Sequence, residues 1–148
     1  MKDNPGEPRD AFIWKWLKGA VTPKGTFGTP DEGNGFVFCT YDAGGLVARA
    51  TIPGGGGLWT ESKCGFRYKS ALRTPEGVKT ALLKEGLVVG KAAIRVIAKG
   101  APVTLPPLAD LVSPLTAQLT AANGSCWEAV YSVPFLDQSS TMFKDRAD

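Results

Sequence analysis

LTAQLTAANGSCWEAVYS (115–132) is the stretch whose reading decides the fold. Leu115, Ala117 and Leu119 alternate with Thr116, Gln118 and Thr120. Beyond a gap, Cys126, Glu128 and Val130 alternate with Trp127, Ala129 and Tyr131. A period of two is that of a β-strand with one face turned inward. Between the runs lies Asn123-Gly124, the dipeptide that most readily takes the two positive-φ positions of a type I′ turn. The stretch predicts a β-hairpin with one buried face.

The same pattern recurs outward from it. FVFCTY (36–41), a turn at 42–45 and LVARATI (46–52) predict a second hairpin. Leu46, Ala48, Ala50 and Ile52 share one face of it, and Val47, Arg49 and Thr51 the other. AFIWKWLK (11–18) reads as a strand by its aromatic content and the Trp14-Lys15-Trp16 alternation; a short helix capped by Gly19 is the alternative. Residues 59–68 read as one strand with an irregularity at Gly65, and 78–84 as another. In 91–99, Ile94, Val96 and Ala98 form one face. Lys91, Arg95 and Lys99 form a basic ridge on the other, read as a solvated face.

The remaining segments read as connections. A Gly- and Pro-punctuated run at 19–35 leaves room for one short strand at Thr26-Phe27. Pro53 and the four glycines after it read as a mobile loop, because no helix start follows to make them a phosphate cradle. Residues 101–114 form an extended connection, 141–144 an edge strand or helical turn, and 1–10 a disordered lead. About eight to ten short strands with frequent turns predict an antiparallel β-sandwich, or alternatively a β-barrel, occupying 11–148 as one domain.

Composition narrows the function. The 148 residues suffice for one domain with a core. The 18 glycines and 11 prolines suit a turn-rich β fold better than a helical bundle. With 17 basic and 14 acidic residues spread along the chain, net charge is +3, too weak and scattered to predict nucleic-acid binding. Histidine is absent, which removes the commonest general base and metal ligand and leaves catalysis to carboxylates, Lys or Tyr. No cofactor is expected. No apolar run approaches the ~20 residues of a membrane-spanning helix. MKDNPGEPRD (1–10) lacks the apolar core of an export signal, so the chain reads as cytoplasmic or as the mature part of an exported protein. The 3 cysteines show no CxxC spacing, which disfavours structural zinc.

From residue 65 onward a set of short motifs follows a familiar order. It runs Gly65-Phe66-Arg67-Tyr68, a Gly77-Val78 segment ending at Leu83-Lys84, Gly90-Lys91-Ala92, Lys99-Gly100 before Leu105-Pro106, Gln118-Leu119, Cys126-Trp127-Glu128-Ala129 and Phe143-Lys144. Upstream, Cys39-Thr40-Tyr41-Asp42 and Trp59 fit the same order. The chain resembles an uncharacterised β-rich domain of predicted secreted or envelope proteins of bacteria. That resemblance implies an exported, non-catalytic module. Similar sequences carry a cysteine just before the tryptophan at the place of Trp59, where this chain has Leu58. A bridge from Cys39 to that region would then use Cys64. Cys39 with Cys126 is the alternative, and three reduced thiols the third outcome.

Three functions follow as expectations. The first is a secreted or surface accessory module acting through a protein partner or self-association, an exposed strand at 11–18 being suited to a homo-oligomer. The second is a carbohydrate-binding module with Trp14, Trp16, Trp59, Trp127 or Tyr131 as stacking surfaces. It needs two of them on one exposed face. The third is a small glycosidase or lyase using carboxylates among Asp42, Glu61, Asp110 and Glu128. Glu128 is expected to pair with Arg67 or Arg95, or else, if its face is the core, to be half-buried with a raised pKa.

Overall fold

The alternating runs form strands of two antiparallel sheets. The computed structural model describes residues 1–3 and 9–148. One sheet holds β1 (Ala11–Gly19), β4 (Trp59–Ser62), β5 (Gly65–Lys69), β6 (Val78–Lys84) and β7 (Ala92–Lys99), in the order β1-β7-β6-β5-β4. The other holds β2 (Phe36–Asp42), β3 (Gly45–Ile52), β8 (Leu115–Ala121) and β9 (Cys126–Tyr131), in the order β3-β2-β8-β9. A two-residue ladder joins β10 (Asp137–Gln138) to β11 (Phe143–Lys144). Both main sheets have open edges, so the fold is a β-sandwich and not a closed barrel.

The inward faces are the apolar halves of the period-two patterns. Phe12 and Trp14 on β1 meet Phe38 on β2, with the Phe12 and Phe38 rings stacked at 4.7 Å. Phe36 lies between Trp59 at 5.5 Å and Trp127 at 6.4 Å, and Trp59 packs on Tyr68. Around these rings the core is filled by Ile52, Leu83, Ile94, Val96 and Leu119, all essentially inaccessible. Burial on this scale, at about 25 cal/mol per Å² of apolar surface, is the main force holding the sheets together.

Several details differ from the sequence expectation, each for a local reason. The β8–β9 loop is not a two-residue type I′ turn. Gly124 N–H donates to Ala121 O at 2.9 Å and Ala121 N–H to Ser125 O at 2.8 Å, and only Gly124, not Asn123, has positive φ. This is a three-residue loop, a type I turn followed by a left-handed glycine. The Asn123 side chain instead accepts from Ser125 N–H and donates to Thr26 O, tying the hairpin tip to the neighbouring loop.

Thr26-Phe27 belongs to a 3-10 turn (Lys24–Phe27), which delivers Phe27 fully buried against Trp127. Residues 59–68 are not one strand but a hairpin, β4 and β5, turning at Lys63-Cys64. Gly65 there has φ 148°, and a Cβ would stand 1.8 Å from Leu83 O. Leu46 is exposed, because a register shift at Thr40/Tyr41 intervenes before it.

The glycine-rich loop after Pro53 is tied rather than free. Gly55 N–H donates to Pro30 O, the Trp59 indole N–H donates to Pro53 O, and a Cβ on Gly54 would overlap Gly33 O. Part of the expected disordered lead is also ordered. Lys2 bridges to both Ala11 and Met142, and Asp3 N–H donates to Thr141 O. Residues 4–8 of that lead lie outside the described residues.

Candidate binding groove

β1 ends the five-stranded sheet and β9 ends the four-stranded one, and these two edges lie beside each other. Between them, and under the segment 142–148, runs an open groove of about 1280 Å³. Strand parity supplies its aromatic lining. Phe12, Trp14 and Trp16 share the inward face of β1, and Ala129 and Tyr131 that of β9. Trp16 and Tyr131 stand at the ends of these runs and are therefore only half-buried. Trp16 lies flat over Gly19, where a Cβ would stand 1.9 Å from the ring, and its indole N–H donates to Glu128 O at 3.1 Å. That bond clasps the two sheet edges together.

Trp14, Tyr131 and Asp145 meet deeper in the groove. Burial raises the Tyr131 hydroxyl pKa above its ordinary value of 10.0; the facing Trp14 indole N–H opposes that shift and the Asp145 carboxylate adds to it. The Trp14 N–H and Asp145 Oδ2 are both buried, and neither closes to hydrogen-bond geometry with a described group. Buried polar groups are nearly always partnered, and the Tyr131 hydroxyl is the group that both the Trp14 N–H and the Asp145 carboxylate face. At the rim, the Met1 amino group donates to Phe143 O at 2.7 Å, and burial followed by the Lys2 charge lowers its pKa. Asp148 holds the tail onto β9, its N–H donating to Val130 O and its carboxylate accepting from Ser132.

The five aromatic candidates thus separate. Trp14, Trp16 and Tyr131 line the groove. Trp59 and Trp127 lie away from it, in the aromatic cluster around Phe36. Trp14 (4% exposed), Trp59 (6%) and Trp127 (5%) are core residues, so the flat exposed tryptophan pair that the sugar reading required does not exist. Asp145 was not legible in the sequence. It sits in an irregular tail with no period, and only the return of that tail over β1 brings it to Trp14.

The candidate carboxylates do not converge. Glu61 forms a salt bridge with Lys24. Asp42 accepts from the N–H groups of Gly44, Gly45 and Val112 and so fixes a turn. Asp110 is exposed beside a 3-10 turn (Leu108–Asp110). Glu128 faces outward and accepts from the Gln118 side chain, its register neighbour, rather than from Arg67 or Arg95, which belong to the other sheet.

All three cysteines are free. Cys39 is opposite Gln118 and Cys126 opposite Thr120, so two strand spacings of about 4.8 Å each separate them, beyond the ~7 Å Cα limit for a bridge. Cys64 sits at the turn of the opposite sheet. Among the described residues no group of His, Cys, Asp and Glu side chains could hold a metal ion, and no helix is long and apolar enough to cross a membrane. No family model, curated protein or solved structure matches the chain.

Proposed function

We propose that the protein is a non-catalytic interaction module that holds an extended segment of a partner polypeptide in the groove between β1 and β9. The observation that carries this reading is the open edge of β1. Its ladder runs only to β7, and among the described residues no other backbone hydrogen bond reaches 12–18. An edge strand of this kind is a template for an added strand, with main-chain bonds giving affinity and flanking side chains giving selectivity. The carboxylates engaged in turns and ion pairs also fit binding better than acid–base catalysis.

The exported or envelope location belongs to the proposal and is supported by the sequence resemblance. A second reading, an oligosaccharide in the same groove, draws on the half-buried Trp16 and Tyr131 rings, since a sugar hydroxyl both donates and accepts.

Selection from a random peptide library, followed by amide exchange on the complex, tests the leading reading. Selected peptides should slow exchange in 12–18 and lose affinity in Trp16→Ala. Protection confined to other strands, or no selected peptide, would sink it. Quenching of tryptophan emission by neutral oligosaccharides, with exchange at 12–18 unchanged, would favour the sugar reading. Self-association through β1 would appear as a dimer in sedimentation.

A further inference from the structure

A second surface lies on the far side of the five-stranded sheet. Lys15, Arg67, Lys69, Lys84, Arg95 and Lys99 project from its outer face, and all are exposed. The one carboxylate in these strands, Glu61, stands opposite the inward-facing Phe66 and is held by Lys24. The outer face therefore carries cations with no strand carboxylate among them. None of the six forms a salt bridge with a described carboxylate. Lys15 stands directly opposite Arg95, and the same row continues across the sheet through Leu82 to Arg67 and Thr60. Like charges at facing positions oppose strand pairing, and a bound polyanion would relieve that repulsion.

We propose that this face binds a linear anionic polysaccharide, a sugar chain bearing sulfate or carboxylate groups. Shape narrows the choice of polyanion. Adjacent strands in a sheet rotate by about 20–25°, so across the three steps from β1 to β5 the side chains of Lys15 and Arg67 splay by roughly 60–75°. A planar bilayer cannot meet both, whereas a thin chain can follow the row. The row ends at a shallow hollow of about 450 Å³ lined by Thr60, Ser62, Phe66, Arg67, Lys69 and Leu82, with the Phe66 ring itself only 4% exposed.

Chemistry narrows it further. Single-stranded nucleic acid is held by aromatic stacking. On this sheet Phe12, Trp14, Trp59, Phe66 and Tyr68 are buried, and Trp16 turns to the groove. Ile13 (49% exposed), Leu17 (61%) and Leu82 (45%) stand among the cations instead, and suit the aliphatic faces of sugar rings. A polypeptide would find no free main-chain groups here except at the sheet's edges.

The test is binding of the full chain to heparin and to polygalacturonate, with neutral dextran, oligothymidylate and phosphatidylserine vesicles alongside. The expected result is binding to at least one of the two acidic polysaccharides, none to dextran, and loss of that binding at about 1 M salt, where the screening length is ~3 Å. Arg67→Glu and Arg95→Glu should each weaken it by about tenfold or more. Arg49→Glu makes the same charge change on the other sheet and should leave it unchanged. Should either reversal fail to fold by circular dichroism, the double variant Lys69→Gln/Lys84→Gln replaces it and should weaken binding likewise. No binding to either acidic polysaccharide, equal weakening by Arg49→Glu, or tighter binding to oligothymidylate or the vesicles would overturn the proposal.

Discussion

On the outer face of the five-stranded sheet, one cross-strand row reads Lys15, Arg95, Leu82, Arg67, Thr60. On the outer face of the four-stranded sheet the equivalent row reads Arg49, Cys39, Gln118, Glu128. The first gathers like charge and, among the described residues, forms no salt bridge to a carboxylate. The second sets one cation and one anion at opposite ends and bonds the anion to Gln118. Its Tyr41 phenol lies beside Cys39, which raises the phenol pKa, with Cys126 adding to the rise and Arg49 opposing it. The same pleat and the same core thus support one face of mixed charge and one that gathers cations. A net charge of +3 averages over this difference and hides it.

The largest expected effect removes the contrast by dissolving its common support. Trp127 packs on Phe27 and Phe36 in the core, and Trp127→Ala should lower unfolding stability in urea by about 3–5 kcal/mol. A loss below ~1 kcal/mol would mean that this ring does not join the sheets. The next variant strikes one face. Gly65→Ala places a methyl against Leu83 O at the start of the β5–β6 pairing, and should cost about 1–3 kcal/mol. Amide exchange should then quicken in β4, β5 and β6 more than in β8 and β9. Uniform quickening would deny that the sheets respond separately.

A pH experiment reads the groove between them. Burial raises the Tyr131 pKa in the folded state, so above pH 10.0 the unfolded chain loses its phenolic proton first. The unfolded state then binds fewer protons, and stability must fall as pH rises through that window. Tyr131→Phe should flatten the fall, and an unchanged pH profile would count against a desolvated phenol in the groove.

The smallest effect is the most diagnostic of the two rows. Arg95→Gln relieves the repulsion from Lys15 and should stabilise the protein by about 0.2–0.5 kcal/mol at low salt. The gain should vanish near 1 M salt. The matching Arg49→Gln should give no such salt-dependent gain. Equal responses would mean that the two faces are electrostatically alike.

How much of this was legible follows from the range of each interaction. The hairpins 36–52 and 115–132 were readable because alternation and turn residues act within a few positions of each other. Even there the turn type differs from the expected one, and Asn123 donates to Thr26 O, a partner far away in sequence. The turn at Lys63-Cys64 is not legible in the sequence because neither residue carries a turn signature. Trp14 and Trp16 were indistinguishable in sequence, since both have inward parity. The groove between β1 and β9 makes one a core residue and the other part of its rim.

An antiparallel β fold, most of its strands and which side chains of each strand face the core are legible in the amino-acid order. They are so because the period of two is imposed by the backbone and needs no knowledge of neighbours. Strand order, and with it which cations share a face, is set by long-range pairing. Lys15 and Arg95 are 80 residues apart in the chain and become direct neighbours when β1 pairs with β7. Tertiary structure alone also brought Asp145 to Trp14 and Tyr131. Charge and polarity act through space, and the distances that matter are set by strand pairing rather than by position in the chain.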